Sequence, residues 1–171
     1  MLKELGMPSA AMLVEHTTLP ELAADGKDEI RFLFSANKGM QPQDIARVAS
    51  GGEISRLMLS LKSLVAWTGN LPTIIFDEID TGVSGEVADR MGKIISSLGK
   101  SIQVVNITHL PQIASKGQTH FLVYKEETNA GTITNIRQLS DSERVTEIAK
   151  MLSGQSLGEA AIKNAKELLG N

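Results

Sequence analysis

The chain of 171 residues contains no cysteine, which excludes disulfides and thiolate-held metals and fits a reducing compartment. It has no apolar run of membrane-spanning length, and its start, Met1-Leu2-Lys3-Glu4, leads into no signal-type segment. A soluble cytoplasmic protein with no membrane partner is the expectation. An excess of positive charge is also missing: the net charge is −3, so bulk electrostatics do not advertise nucleic-acid binding. Any DNA contact must be local, or lie elsewhere in a larger assembly. No internal repeat and no long linker divides the sequence. The most telling absence is a phosphate-binding loop of the form G-x-x-x-x-G-K-[ST]. Lys27, Lys93 and Lys100 each follow a glycine, but none has a second glycine five residues before it.

What is present suits one ordered domain over residues 1–171, with 42% apolar and 22% charged residues. The first ten residues resemble a helix end stopped by Gly6 and Pro8. Strands are predicted at Ala11 to Thr17 and at Glu29 to Ala36, where Ile30, Phe32 and Phe34 alternate against Arg31 and Ser35. Asn37-Lys38-Gly39 is a turn, and Gln41 to Ala49 reads as a loop with a short helical piece. A helix follows from Gly51 to about Trp67, ended by Gly69-Asn70, with Ile54, Leu57, Met58, Leu61, Leu64 and Val65 on one face.

Leu71 to Phe76 reads as a strand buried on both faces, as in a parallel sheet. A helix from Glu86 to about Leu98 and a second such strand, Ile102 to Ile107, complete a βαβ unit. A short helix near Pro111 to Ala114 comes next. A hairpin follows, with strands Thr119 to Lys125 and Thr132 to Leu139 around Asn129-Ala130-Gly131. Two helices, roughly Ser142 to Leu152 and Leu157 to Leu169, close the chain. The fold class is α/β: a largely parallel sheet flanked by helices, plus a β-hairpin.

Two motifs carry chemistry. Ile74-Ile75-Phe76 delivers two adjacent acids, Asp77 and Glu78, at a strand end. One such carboxylate can hold Mg²⁺ through water and the next can orient or deprotonate an attacking water. The neighbouring strand ends likewise in Thr108-His109, and in open parallel sheets ligands gather beyond the carboxyl ends of the strands. His109 is thereby placed to hydrogen-bond a terminal phosphate. Upstream, Ser50-Gly51-Gly52-Glu53 opens the long helix. It fits an S-x-x-E capping box, yet a cap needs no glycines, and glycine disfavours helix. Glycines there let a phosphate approach the backbone while the helix dipole faces it. His16, His120 and Trp67 read as structural, and the seven methionines as core filler.

In their order, Ser50-Gly51-Gly52-Glu53, Ile74 to Glu78, Asp80 and Thr108-His109 resemble the signature, Walker B, D-loop and switch-histidine series of ATP-binding-cassette ATPases. Val48 to Met58, Phe76 to Gly85, Thr108 to Ala114 and Phe32 to Asn37 resemble the RecN family of bacterial DNA repair proteins, itself similar to the structural-maintenance-of-chromosomes (SMC) proteins. The resemblance implies the C-terminal lobe of an ATPase head, whose N-terminal lobe carries Walker A and whose coiled coil lies between the two. It further implies two heads closing on two ATP molecules. Ser50, Gly51, Gly52 and Glu53 of one head would meet the nucleotide held by the other, and Asp80 would lie at the interface between heads. In its own head, Asp77 would serve Mg²⁺, Glu78 the water and His109 the γ-phosphate. The implied partners are the N-terminal lobe, a second head, DNA and a RecA-type recombinase, in a nucleoid-associated cytoplasmic protein. By the same token this chain alone would hydrolyse ATP negligibly. The alternatives are the nucleotide-binding module of another cassette ATPase, and a non-catalytic dimerisation module.

Overall fold

A computed structural model of the chain describes residues 1–47, 50–69, 71–128, 131–154 and 157–170. Residues 48, 49, 70, 129 and 130, which fall within the expected signature flank, helix end and hairpin turn, lie outside it. Among the described residues, three small sheets and five α-helices follow one another.

The N-terminal residues make a single helical turn, in which the Leu5 amide donates to the Met1 carbonyl at 3.1 Å. Gly6, at φ +80°, ends that turn, and Leu5 and Met7 are buried. Strands β1 (Ala11–Ala23) and β2 (Gly26–Ser35) form a long antiparallel hairpin, and the two-residue β3 (Gln43–Asp44) pairs with β2. Both hairpin strands reach further toward the turn than the alternation of apolar residues suggests, and β2 stops at Ser35 instead of Ala36. Polar cross-strand pairs line the ladder: Arg31 sits opposite Glu15, with 3.2 Å between their charged groups, and His16 reaches Asp28 at 2.7 Å; beyond Thr18 the register shifts before Ala23 pairs with Gly26. The expected helical piece before residue 50 is a short 3-10 turn, Ile45–Arg47.

Helix α1 (Gly51–Thr68) buries a different face from the expected one. Gly52, Ser55, Leu59, Ser63 and Ala66 point into the body together with Leu57, while Leu64 and Val65 are exposed. Strands β4 (Thr73–Asp77) and β5 (Gln103–Ile107) pair in parallel from Thr73 opposite Gln103 to Asp77 opposite Ile107, joined through α2 (Gly85–Leu98). The βαβ unit is therefore present, but it is not covered on both sides. Phe76 is fully buried against Leu59, Ala66, Ala88 and Met91, whereas Ile75, Val105 and Ile107 on the opposite face stay 59, 43 and 51% exposed. Parallel strands normally carry cover on both faces, so this sheet is one half of a sandwich.

The short helix α3 (Pro111–Ala114) packs Ile113 into the same core. Hairpin β6 (Phe121–Thr128) and β7 (Gly131–Gln138) follows, then α4 (Asp141–Ser153) and α5 (Glu159–Leu169), which meet through Ile148, Ala149, Ala161 and Ala165. Helix α4 starts in a full capping box: the Glu143 amide donates to Ser140 Oγ, and the Ser140 amide donates to Glu143 Oε2 at 2.8 Å. Among the described residues no helix is long and apolar enough to cross a membrane.

The backbone and hydroxyl of Ser140, with Arg137, hold the Glu143 carboxyl down to about 2 from its ordinary 4.5. A carboxylate whose folded value is depressed stabilises the fold above its unfolded value and loses that effect as pH falls through the folded one. Glu143→Gln is therefore expected to melt at a lower temperature than the parent chain at pH 7. In thermal scans at stepwise lower pH, the gap should close between about 4.5 and about 2.

Candidate functional site

The polar ends of β4 and β5 lie side by side, since Asp77 is paired opposite Ile107, the residue before Thr108. The Glu78 amide donates to the Ile107 carbonyl at 3.2 Å, fixing the first residue beyond one strand to the last of the other. Glu78 has φ +47°, the sole positive value at a non-glycine among the described residues. That conformation costs a side-chain-bearing residue free energy and collects at functional sites. It turns the chain sharply, so that Asp77 and Glu78 are exposed while Asp80 runs back inside. His109 is exposed on the adjoining strand end. The structure thus brings the two acids and the histidine to one rim of the parallel pair.

Asp80 is only 1% exposed. Within this chain it accepts a hydrogen bond on Oδ2 from the Thr108 hydroxyl. The same hydroxyl oxygen accepts from the Leu110 amide at 3.0 Å. The loop after β4 is closed locally by the Thr81 amide and hydroxyl, which both donate to the Glu78 carbonyl at 3.2 and 2.9 Å.

The entry to α1 abuts this loop. A Cβ at Gly52 would stand 2.4 Å from the Gly82 carbonyl oxygen, and Gly82 itself has φ +75°. Two glycines are required where the helix and loop backbones touch. One turn further along, Ser55 Oγ donates to the Thr81 carbonyl at 2.9 Å. Gly52 thus has a packing reason to be glycine, whereas Gly51 is exposed and has open space where a Cβ would be. Ser50 precedes the helix with extended backbone and an exposed side chain that makes no capping hydrogen bond. The contrast lies within the molecule: Ser140-x-x-Glu143 closes its capping box and Ser50-x-x-Glu53 does not. Glu53 is half-buried in the first helical turn.

Sequence patterning missed the roles of Ser55, Gly82 and Thr108. The available signal was the run Gly52, Ser55, Leu59, Ser63, Ala66, whose spacing marks a small-residue face that permits close packing. Among the described residues no cluster of three or more carboxylates or histidines could hold a metal. Asp77 and Glu78 fit Mg²⁺ only in the manner of sites completed by phosphate oxygens and water.

No family model matches the chain. It is 44% identical over 168 residues to the DNA repair protein RecN of Rickettsia bellii, covering 98% of this chain and 30% of that protein. It is 41% identical over 169 residues to RecN of Haemophilus influenzae, with the same coverage. Against RecN of Deinococcus radiodurans it is 40% identical over 168 residues, 98% of this chain and 29% of that one. The chain therefore spans about 30% of the length of the curated relatives it matches. Among solved structures, the Smc head domain with a coiled coil and joint from Pyrococcus yayanosii superposes with a TM-score of 0.66 at 14% identity, over 89% of this chain and 28% of that one. A chain solved in work on ATP-driven dimerization and DNA-stimulated activation of SMC ATPases gives 0.59 at 16% identity, over 90% of this chain and 87% of that one. The fold is that of an SMC-type head.

Cap and packing roles can be separated by thermal melting. Ser140→Ala is expected to cost about 1 kcal/mol, the usual loss of an N-cap, and Ser50→Ala clearly less. Gly52→Ala should destabilise the chain while Gly51→Ala is tolerated. Equal losses for the two serines would contradict the assignment of Ser50 as a free group.

Proposed function

Because this chain belongs to the RecN family, we propose that it is the C-terminal half of a composite ATPase head in a DNA double-strand break repair protein. The single observation that carries this reading is the rim where Asp77, Glu78 and His109 are exposed together at the ends of β4 and β5. Exposure there suits groups that wait for a nucleotide supplied by other parts of the head.

In this reading Asp77 holds Mg²⁺ through water, and the ion's contribution is to neutralise charge on the terminal phosphates. Glu78, held at a fixed angle by its strained backbone, accepts a hydrogen bond from the attacking water and draws off its proton. His109 donates a hydrogen bond to the γ-phosphate. Ser50 Oγ and the N–H groups at the start of α1 receive the γ-phosphate of the nucleotide bound by a second head, where the helix dipole favours an anion. The N-terminal lobe supplies Walker A, which this sequence lacks, and covers the apolar face formed by Ile75, Val105 and Ile107. ATP then bridges two heads, and hydrolysis releases them. This cycle is coupled to DNA binding or tethering in the cytoplasm at the nucleoid, alongside a RecA-type recombinase.

Steady-state ATP hydrolysis by this chain alone, and after addition of the matching N-terminal lobe, tests the reading. Turnover is expected only in the mixture, and Glu78→Gln should abolish it while prolonging the ATP-bound dimer. Turnover by the chain alone, or none from a mixture shown to form the complex, would overturn the proposal, the latter in favour of a non-catalytic dimerisation module.

A further inference from the structure

We propose that Asp80 and Thr108 form a positioning pair that sets His109 against Glu78. The inference rests on the ATPase reading above for its catalytic consequence, but its structural content is independent of it.

Burying a carboxylate is costly unless its oxygens are satisfied. Asp80 is buried all the same; Oδ2 takes the Thr108 hydroxyl, and Oδ1 has no protein partner. A side chain kept at that cost has a task, and the task is visible in what Thr108 does with its hydroxyl. That group donates to Asp80 and at the same time accepts the Leu110 amide at 3.0 Å. A Thr hydroxyl bonded to the amide two residues on closes a tight local turn, and the residue spanned by this one is His109. The donor direction of the hydroxyl is used by Asp80, so its lone pairs are left facing Leu110. Without Asp80 the hydroxyl is free to rotate away and the turn loosens.

The pair also ties the two strand ends together. One residue earlier, the Glu78 amide is bonded to the Ile107 carbonyl at 3.2 Å. The two segments are thus joined by two successive links, Glu78 to Ile107 and Asp80 to Thr108, and His109 follows directly, between the second link and the Leu110 amide held by the Thr108 hydroxyl. Neither Asp80 nor Thr108 needs to touch nucleotide. Each acts through His109, and Asp80 is placed to do so because the loop that turns at Glu78 brings its carboxylate to Thr108, just beyond β5.

The test uses Thr108→Val, which removes the hydroxyl at nearly constant shape, and Thr108→Ser, which restores it. Thr108→Ala replaces the valine variant should that fail to fold. In the head reassembled from both lobes, Thr108→Val is expected to lower kcat about tenfold to a hundredfold with the ATP KM within about twofold, and Thr108→Ser to recover most of it. In this chain without nucleotide, the ring and amide NMR signals of His109 should shift in Thr108→Val and match the parent in Thr108→Ser. Wild-type kcat in Thr108→Val, in a head that Glu78→Gln inactivates, would overturn the positioning role and leave the ATPase reading intact. Should no head hydrolyse ATP, that reading fails and the NMR comparison alone decides: unchanged His109 signals in Thr108→Val overturn the proposal, and signals that shift with valine and return with serine sustain it.

Discussion

The parallel pair β4–β5 is covered on one face only, and most of what this chain does follows from that. Phe76 is sealed beneath α1 and α2, while Ile75, Val105 and Ile107 look outward. Each such side chain gains roughly 1.5–3 kcal/mol on full burial, so the uncovered face is a reserve of binding free energy. By the alternation of a strand, Asp77 shares the face of Ile75, two residues before it. Covering the sheet and completing a site around Asp77 are therefore a single event. A lobe that docks on the apolar residues necessarily arrives at the acidic rim.

A division of labour runs through the site. Ser50, Gly51, Asp77, Glu78 and His109 are exposed, whereas the groups that hold them are buried or locked in backbone contacts. Gly52 against Gly82 and Ser55 on the Thr81 carbonyl fasten α1 to the loop after β4. Asp80 on Thr108 and Glu78 on Ile107 fasten that loop to the end of β5. The start of α1, the acids and the histidine thus behave as one connected piece. A contact made at Ser50 has a short, packed route to Asp77, Glu78 and His109.

The order of strands and helices from residue 71 onward was legible in the sequence because its signals are local: apolar runs, a two-acid strand end, and turn residues between the elements. The two acids and the histidine were legible together because they end the two strands of one strand–helix–strand unit, whereas the serine-glycine turn lies upstream of it and was joined to them by the family resemblance. Other features depend on partners that periodicity does not encode. Helix α1 carries apolar residues on more than one side, so pattern alone could not say which face this chain covers; the small face won because Gly52 and Ser55 allow close approach to the loop. Extension of β1 to Ala23 runs through an irregularity between Thr18 and Ala23 in its pairing with β2, which alternation of apolar residues does not register. The burial of Asp80 was not legible either, because it involves a hydroxyl 28 residues away in sequence.

Hydrogen–deuterium exchange over residues 73–77 and 103–107, with and without the matching N-terminal lobe, tests the half-sandwich most directly. Strong new protection of both strands, spreading to 50–52 only when ATP is added and heads pair, is the expected result. Complex formation that leaves exchange in both strands unchanged would contradict it, because the lobe would then have docked elsewhere and the apolar face would not be the seam of the head.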